Sequence, residues 1–207
     1  MMPTANMGIL HARAMCPLPR QTNTDDASDE ALIARLAHRD RGALQRLFVR
    51  HQQRIYRFVL RIVSNPATAE DIVSDVFLEL WRQAASFKGR AQLATWLLAI
   101  ARNKALSAMR RRIDAPLDAA MDIADQAATA EETSDAGKRS ATLRACLEQL
   151  SPSHREIIDL VYYHEQSVDE VSTILGVPAA TVKTRMFYAR KRLAELVKAA
   201  GIERARY

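Results

Sequence analysis

Apolar side chains recur every three or four positions along most of the chain, which is the spacing of amphipathic helices. The first sustained stripe occupies these positions: Leu44, Leu47, Phe48, His51, Ile55, Phe58, Val59 and Ile62. Asn65-Pro66 is expected to end that helix, because the residue before a proline is driven away from helical geometry. No segment alternates between apolar and polar residues, so the pattern predicts an all-α fold.

Two more helices are predicted before residue 113. One begins near Thr68, whose hydroxyl can form a cap with Asp71 three residues later. Its apolar positions are Ile72, Val73, Val76, Phe77, Leu80 and Trp81. After an interruption at "SFKGRAQ", the next helix has its apolar positions at Leu93, Trp96, Leu97, Ile100 and Ala101. These elements predict a helical bundle in the first half of the chain.

The last third of the chain has the pattern of a helix-turn-helix. Its first stripes are Leu143, Cys146, Leu147 and Leu150, then Ile157, Ile158, Val161 and Tyr162. Ser151-Pro152 supplies a cap and a proline at the first helical position. Ser167 and Glu170 form a capping box, and Gly176 stands where a left-handed residue ends a helix. Two helices joined by so short a turn are typical of DNA-binding proteins.

In the second helix of this motif, "TVKTRMFYARKRL", the spacing of the apolar residues indicates which side is buried. Val182, Met186, Ala189 and Leu193 form its buried face. The residues assigned to DNA contact are Thr181, Lys183, Thr184, Arg185, Phe187, Tyr188, Arg190 and Lys191. Long cations and hydroxyls can bond phosphates or base edges. A solvated basic face is the alternative, and the capped helix and glycine turn upstream favour DNA binding.

Charged residues of one sign are clustered in blocks along the chain, which has a net charge of +6 and a pI near 9.6. Residues 80–113 contain no acid, whereas residues 114–135 contain no base. The predicted organisation is a disordered tail (1–28), a helical domain (29–112), a flexible acidic linker (113–136), a helix-turn-helix domain (137–201) and a short tail (202–207). The basic balance favours a polyanionic partner.

The sequence gives little support for an enzyme. His154, Glu156, His164 and Glu165 make no helix-spaced metal pair with a third ligand, and a polar surface role is the interpretation preferred for these histidines. The two cysteines, Cys16 and Cys146, provide no disulfide framework. We therefore expect no enzyme activity, no cofactor and no metal. The lack of a long apolar run and of a secretory leader predicts a cytoplasmic protein.

Three stretches together resemble the extracytoplasmic-function (ECF) group of bacterial sigma factors, in the sigma-70 family. They are "AEDIVSDVFLELW", "SFKGRAQLATWLLAIARNKALSAMRRR" and "LSPSHREIIDLVYYHEQSVDEVSTILGVPAATVKTRMFYARKRL". The resemblance covers about 29–112 and 137–200. It implies a transcription initiation factor that directs core RNA polymerase to promoters and helps to open the DNA.

The resemblance also implies two sites in the first domain. The first, which docks on the polymerase clamp helices, matches Asp71, Ser74, Asp75 and Leu78, with Ser74 replacing the usual glutamine. The second, which reads the minus-10 element, matches Phe87, Lys88, Arg90, Arg102, Asn103, Arg110, Arg111 and Arg112. Phe87 and Asn103 match a pocket for a flipped base, although Phe87 could instead pack internally. Trp96 is expected to be core.

For the rest of the chain, the resemblance implies that the second domain reads the minus-35 element and meets the polymerase flap. The linker either threads through the polymerase cleft or is a simple tether. An anti-sigma factor is an implied partner, direct membrane insertion is not expected, and the free protein should be a monomer. The alternative is an ordinary helix-turn-helix regulator whose first domain senses a ligand or dimerises.

Overall fold

The computed structural model describes residues 27–89, 91–114 and 135–201, and these ranges are helical without a β-strand. The helices of the first domain are α1 Asp29–Ala37, α2 Arg41–Val63, α3 Pro66–Gln83 and α4 Leu93–Asp114. Those of the second domain are α5 Asp135–Glu148, α6 Pro152–Ile158, α7 Val168–Leu175 and α8 Ala179–Ala199. The predicted all-α fold class is confirmed.

The connection between α2 and α3 differs from the prediction. Ser64 adopts a left-handed conformation, with a φ of 52°, and ends α2. Asn65 is then the cap of α3, because its side-chain oxygen accepts a hydrogen bond from the Thr68 amide at 2.8 Å. Pro66 occupies the first turn, where its missing N–H costs nothing. The predicted cap at Thr68 is therefore wrong by one turn.

In the first domain α2 packs against α1, α3 and α4. The largest fully buried side chains there include Phe58, Leu32, Leu36, Leu47, Ile55, Leu80, Leu97 and Leu98. Phe48 and Phe77 join α2 to α3, with ring centroids 4.8 Å apart. Burial of these apolar side chains holds the four helices as one bundle.

The second domain contains a π-helical turn, Asp159–Tyr163, directly after α6. A π turn holds one more residue than an α turn, so it rotates the following side chains around the axis. Leu160 is consequently fully buried, whereas Tyr162 is 55% exposed. The predicted inward position of Tyr162 is wrong for this reason. Leu143, expected in an inward stripe, is also exposed.

The two domains pack against each other, with α7 lying on α4. One cluster of buried side chains runs through both domains, from Leu97 and Ala101 of α4 to Val171, Ile174 and Val182 of the second domain. The caps predicted at Ser151 and at Ser167 with Glu170 are present, and Gly176 has a φ of 66°. None of the helices in the described ranges is long and apolar enough to cross a membrane.

Candidate nucleic-acid interface

Helix α8 exposes the face that the spacing of its apolar residues predicts to point outward. Val182 and Ala189 are fully buried, while Phe187 and Tyr188 are 64% and 54% exposed. The capping box at Ser167 and the left-handed Gly176 fix the direction of α7, and the Ser172 hydroxyl donates to the Val177 carbonyl at 2.6 Å across the turn. The turn therefore sets the angle at which α8 leaves α7.

The polar groups of α8 are free to meet a ligand along most of that face. Lys183, Thr184 and Lys191 are exposed, and the Thr184 hydroxyl donates to the Ala180 carbonyl at 3.0 Å. Arg190 lies over the Tyr162 ring, 5.6 Å from its centroid, which orients its guanidinium. Thr181 and Arg185 are half-buried at the edges of the face. Cations, hydroxyls and aromatic rings on one exposed helix suit a DNA groove.

The second candidate surface lies where α4 meets the segment before it. Phe87 is half-buried and packs against Trp96, with ring centroids 5.3 Å apart and planes tilted by 57°. Trp96 in turn packs on the core of the first domain, as the sequence predicted. Internal packing of Phe87, the alternative left open by the sequence, is thus present, and the ring retains some exposure.

Three residues of α4 extend this surface along one line of the helix. Trp96, Asn103 and Arg110 are seven positions apart, so they lie on nearly the same face, about 10 Å from one to the next. Asn103 and Arg110 are exposed. Beyond the packed Trp96 ring, Asn103 and Arg110 therefore offer an amide and a cation in succession, which are groups that hydrogen-bond and neutralise a single strand.

The other predicted basic residues of this surface are placed differently. Lys88 and Arg112 are exposed, and the Nε of Arg111 donates to the Ser107 carbonyl at 3.4 Å. Arg90 lies outside the described residues. Arg102 points toward the second domain, where its Nε and a terminal nitrogen bond the Glu156 carboxylate at 2.6 and 3.2 Å. The structure therefore separates Arg102 from the exposed line of Asn103 and Arg110.

The acidic face of α3 is a third exposed surface. Asp71, Ser74, Asp75 and Leu78 are all exposed, Leu78 by 52%. The Ser74 hydroxyl donates to the Glu70 carbonyl, and Lys104 of α4 lies 3.6 Å from an Asp75 oxygen. Among the residues that the structure describes, none forms an ion pair with Asp71. An exposed leucine among carboxylates suits a partner that is basic around an apolar contact.

Sequence reasoning missed a polar cluster between the domains. The Thr95 hydroxyl lies 2.8 Å from Gln166 Oε1 and 3.1 Å from Glu170 Oε1. Arg61 forms an ion pair with buried Asp159. The sequence signals were a threonine inside the apolar run "LATWLLAI" and an aspartate inside "EIIDLVYY". Polar residues in such runs need buried partners.

His164 belongs to this cluster and corrects another expectation. It is 3% exposed rather than a polar surface residue, and its ring meets the Phe58 ring edge-on at 5.4 Å. Burial and the nearby guanidiniums of Arg54, Arg61 and Arg57 lower the pKa of His164 to about 4. Hydrogen bonds from Ser167 and Thr95 lower the pKa of Glu170 although burial alone would raise it. Among the described residues no group of side chains has the composition of a metal site.

Comparison with protein families gives two matches. Residues 47–113 match the model of sigma-70 region 2, and residues 140–193 match that of sigma-70 region 4. The RNA polymerase sigma factor CarQ of Myxococcus xanthus is 33% identical over 166 residues, covering 79% of this chain and 94% of CarQ. The ECF RNA polymerase sigma factor SigK of Mycobacterium tuberculosis is 28% identical over 168 residues, covering 76% of this chain and 87% of SigK.

Two solved structures are similar in fold. CnrH in complex with the cytosolic domain of CnrY has a TM-score of 0.60 at 22% identity, covering 83% of this chain and 97% of CnrH. The sigma factor RpoE of Bartonella quintana, in complex with the anti-sigma factor NepR, has a TM-score of 0.56 at 26% identity. That match covers 74% of this chain and 96% of RpoE. Both the sequence and the fold therefore match the same family over both domains.

Proposed function

This chain belongs to the extracytoplasmic-function group of the sigma-70 family, and from that premise we propose which of its surfaces bind core polymerase and which bind promoter DNA. The chain is an RNA polymerase sigma factor, which directs core polymerase to promoters and promotes opening of the DNA. The observation that supports this assignment of binding roles is the presence of three separate exposed surfaces of different chemistry. They lie on α3, on α4 and on α8.

The acidic face of α3 is the proposed polymerase-binding site, through Asp71, Ser74, Asp75 and Leu78. Like charges one turn apart repel each other on an isolated helix, and a basic partner converts that cost into attraction. The exposed Leu78 supports the proposal, because it supplies an apolar centre for an otherwise charged contact. Basic clamp helices of core polymerase are the proposed partner.

A charge reversal tests this site. Asp71→Lys should weaken binding to core polymerase at least tenfold, since it replaces attraction by repulsion at a desolvated contact, about 1.4 kcal/mol or more. Binding is measured by titrating labelled protein with core polymerase. Glu30→Lys, an equal reversal at an exposed position of α1 in the first domain, is the matched control. Equal affinity of Asp71→Lys and the control for core polymerase would remove the proposed site.

The proposed minus-10 surface consists of Phe87, Lys88, Arg90, Arg102, Asn103, Arg110, Arg111 and Arg112. Aromatic stacking and amide hydrogen bonds replace what a base loses when it leaves the duplex, and cations hold the displaced strand. The exposed Asn103 and Arg110, which lie on one line of α4, support this proposal. The packed Phe87 ring makes one wall of the proposed base pocket.

Asn103 tests the pocket because it is exposed and its removal leaves the bundle core intact. Asn103→Ala should slow promoter opening about tenfold or more, as loss of a base-specific contact costs about 1–3 kcal/mol. Opening is followed by the fluorescence of a 2-aminopurine base placed in the minus-10 element. Polymerase binding by Asn103→Ala should match that of the unmodified protein. Opening at the unmodified rate would exclude Asn103 from the pocket.

The proposed minus-35 surface is the outward face of α8, through Thr181, Lys183, Thr184, Arg185, Phe187, Tyr188, Arg190 and Lys191. The helix-turn-helix geometry around Gly176 supports placement of α8 in the major groove. The remaining outer face of the second domain is the proposed contact with the polymerase flap. The proposed domain limits are 29–112 and 137–201, and the acidic linker between them falls mostly outside the described residues, as do the tails.

An anti-sigma factor is a further proposed partner. The support is the similarity to Bartonella quintana RpoE, whose structure was solved with the anti-sigma factor NepR. We also propose that the chain acts in the cytoplasm as a monomer when free, and that it has no enzymatic activity of its own. The curated relatives are sigma factors, and no cofactor is needed for the roles assigned to these surfaces.

A further inference from the structure

Tyr162 is an exposed aromatic residue that lies outside the helix-turn-helix formed by α7 and α8. It belongs to the π turn Asp159–Tyr163, and 55% of its surface is exposed. The turn is held from inside, because Leu160 is fully buried and Asp159 forms an ion pair with Arg61. The Tyr162 ring is therefore carried by a well-anchored segment although it lies at the surface.

The Tyr162 ring contacts α8. The guanidinium carbon of Arg190 lies 5.6 Å from the centroid of the ring, and a terminal nitrogen of Arg190 lies 3.3 Å from the Met186 sulfur. Helix α6 packs on α8, so the π turn that follows α6 comes beside α8. A cation is attracted to the face of an aromatic ring, and the ring therefore restricts the directions in which the guanidinium can point.

The neighbouring tyrosine has a different partner. Tyr163 is 51% exposed, and its ring lies 4.1 Å from the guanidinium carbon of Arg61 in the first domain. Two successive tyrosines thus each hold one arginine, and the two arginines belong to different domains. Because Tyr162 and Arg190 both belong to the second domain, their contact does not depend on the packing of the two domains.

The guanidinium of Arg190 is free to bind an anion. Within the described ranges no carboxylate forms an ion pair with Arg190, whereas Arg192 is paired with Glu195 at 3.2 Å. At about 100° per residue, Arg190 lies on one flank of α8, between the buried Ala189 and the outward Lys191, and Arg192 lies on the other flank. When a helix lies in the major groove, its outward centre meets base edges and the cations on its flanks reach the phosphates.

From these contacts we propose that Tyr162 is a positioning residue for DNA binding, which holds Arg190 so that its guanidinium meets a phosphate beside α8. The inference rests on the proposed function, because it assumes that α8 binds duplex DNA. Fixing a long side chain on binding weakens the affinity about two- to tenfold. The Tyr162 ring removes part of that cost before DNA arrives. Since the ligand is the phosphate backbone, the gain applies to every base sequence.

The test measures how tightly the full chain binds a short fluorescein-labelled duplex of random sequence, by fluorescence anisotropy. Tyr162→Leu keeps an apolar side chain but removes the aromatic face, and should weaken binding about two- to fivefold. Tyr162→Phe keeps that face and should restore the affinity lost in Tyr162→Leu. Thermal unfolding followed by circular dichroism verifies that both variants are folded. If Tyr162→Leu unfolds at a lower temperature but binds DNA with unchanged affinity, the ring only stabilises the fold and the proposal is overturned.

A double-mutant cycle determines whether Tyr162 acts through Arg190. Arg190→Gln should weaken binding and reduce the slope of log affinity against log salt concentration by about 0.9, the value for one lost phosphate contact. Adding Tyr162→Leu to Arg190→Gln should then cause no further loss. Arg192→Gln removes a cation from the other flank of α8, and in that background Tyr162→Leu should still weaken binding. Additive losses in Tyr162→Leu and Arg190→Gln, or an unchanged salt slope in Arg190→Gln, would overturn the proposal.

Lys191→Gln separates a failure of this inference from a failure of the proposed function. Lys191 is exposed at the outward centre of α8 and makes no contact with the π turn in the proposal. Weaker DNA binding by Lys191→Gln together with unchanged binding by Tyr162→Leu would overturn the role of Tyr162 alone. Unchanged binding by Lys191→Gln, Arg190→Gln and Tyr162→Leu alike would overturn both the role of Tyr162 and the assignment of α8 to DNA.

Discussion

His164 illustrates how one buried side chain depends on its neighbours. The ring packs edge-on against Phe58, the charges of Arg54, Arg61 and Arg57 act on it, and an Asp159 oxygen lies 3.5 Å from its Nε2. Asp159 is already paired with Arg61. A positive charge on the ring would therefore be both desolvated and repelled, which is why the neutral imidazole is favoured.

The pH dependence of stability follows from that environment. The pKa of His164 is about 4 in the folded chain and near its ordinary 6.5 when unfolded, so the unfolded state takes up a proton first as pH falls. The contribution of His164 to stability is complete above pH 6.5 and is lost as pH falls toward 4. At pH 5 the loss is up to about 2 kcal/mol.

Urea unfolding at pH 7.5 and pH 5 measures this loss. His164→Phe retains an aromatic ring against Phe58 but cannot titrate, and the Arg54 bond to the backbone carbonyl is kept. The free energy of unfolding should therefore fall less between the two pH values in His164→Phe than in the unmodified protein. Carboxylates contribute equally to both proteins. The same pH dependence in both would contradict the buried, neutral assignment of His164.

The exposure or burial of single residues could be predicted from the sequence where those residues lie on a regular helix. The exposure of Phe187 and Tyr188 follows from the phase of α8, because Val182 and Ala189 fix which side is buried. The burial of His164 and the exposure of Tyr162 were not predictable, because the π turn, which contains Tyr162 and ends directly before His164, breaks the helical period. The pairing of Arg102 with Glu156 depends on tertiary contact, which no local pattern contains.

At the scale of elements, the turn between α7 and α8 determines where the recognition helix points. Gly176 has a φ of 66°, and a Cβ built there would meet no atom within 4 Å. The glycine is thus required for its backbone conformation and not for space. Residues with a Cβ reach this left-handed region at a cost of about 1–2 kcal/mol, with asparagine tolerated best.

Substitution of Gly176 measures that cost. Gly176→Ala should lower the free energy of unfolding by about 1 kcal/mol, whereas Gly176→Asn should lose less, because its side chain tolerates the left-handed region. Chemical unfolding followed by circular dichroism gives both values. Since neither side chain would clash, a larger loss for asparagine than for alanine would contradict a purely conformational role for this glycine.

The helix caps show how far local sequence specifies these elements. Ser151 with Pro152 and the capping box of Ser167 with Glu170 were predictable, because each satisfies free amides within its own first turn. The start of α3 was not placed correctly, since Asn65 and Thr68 are both acceptable caps. The proline after Asn65 decides between them, as it is suited to the first helical position.

At the scale of the whole molecule, function requires two domains with different partners on one chain. The exposed acidic face of α3 and the outward face of α8 belong to different domains, and the charged contact between α4, α6 and α7 joins them. The sequence predicted both domains and their order. The packing of the two domains against each other could not be predicted from the sequence, because the interface combines residues more than 50 positions apart, such as Arg102 and Glu156.

Run-off transcription with core polymerase from the source organism tests the central claim most directly. The template is a library carrying random promoter sequences upstream of a fixed transcript. We expect transcripts only when this chain is added, from templates that share two short sequence elements separated along the duplex. If the chain binds DNA through α8 but core polymerase still starts no transcript, the account of this protein as a promoter-reading initiation factor is contradicted.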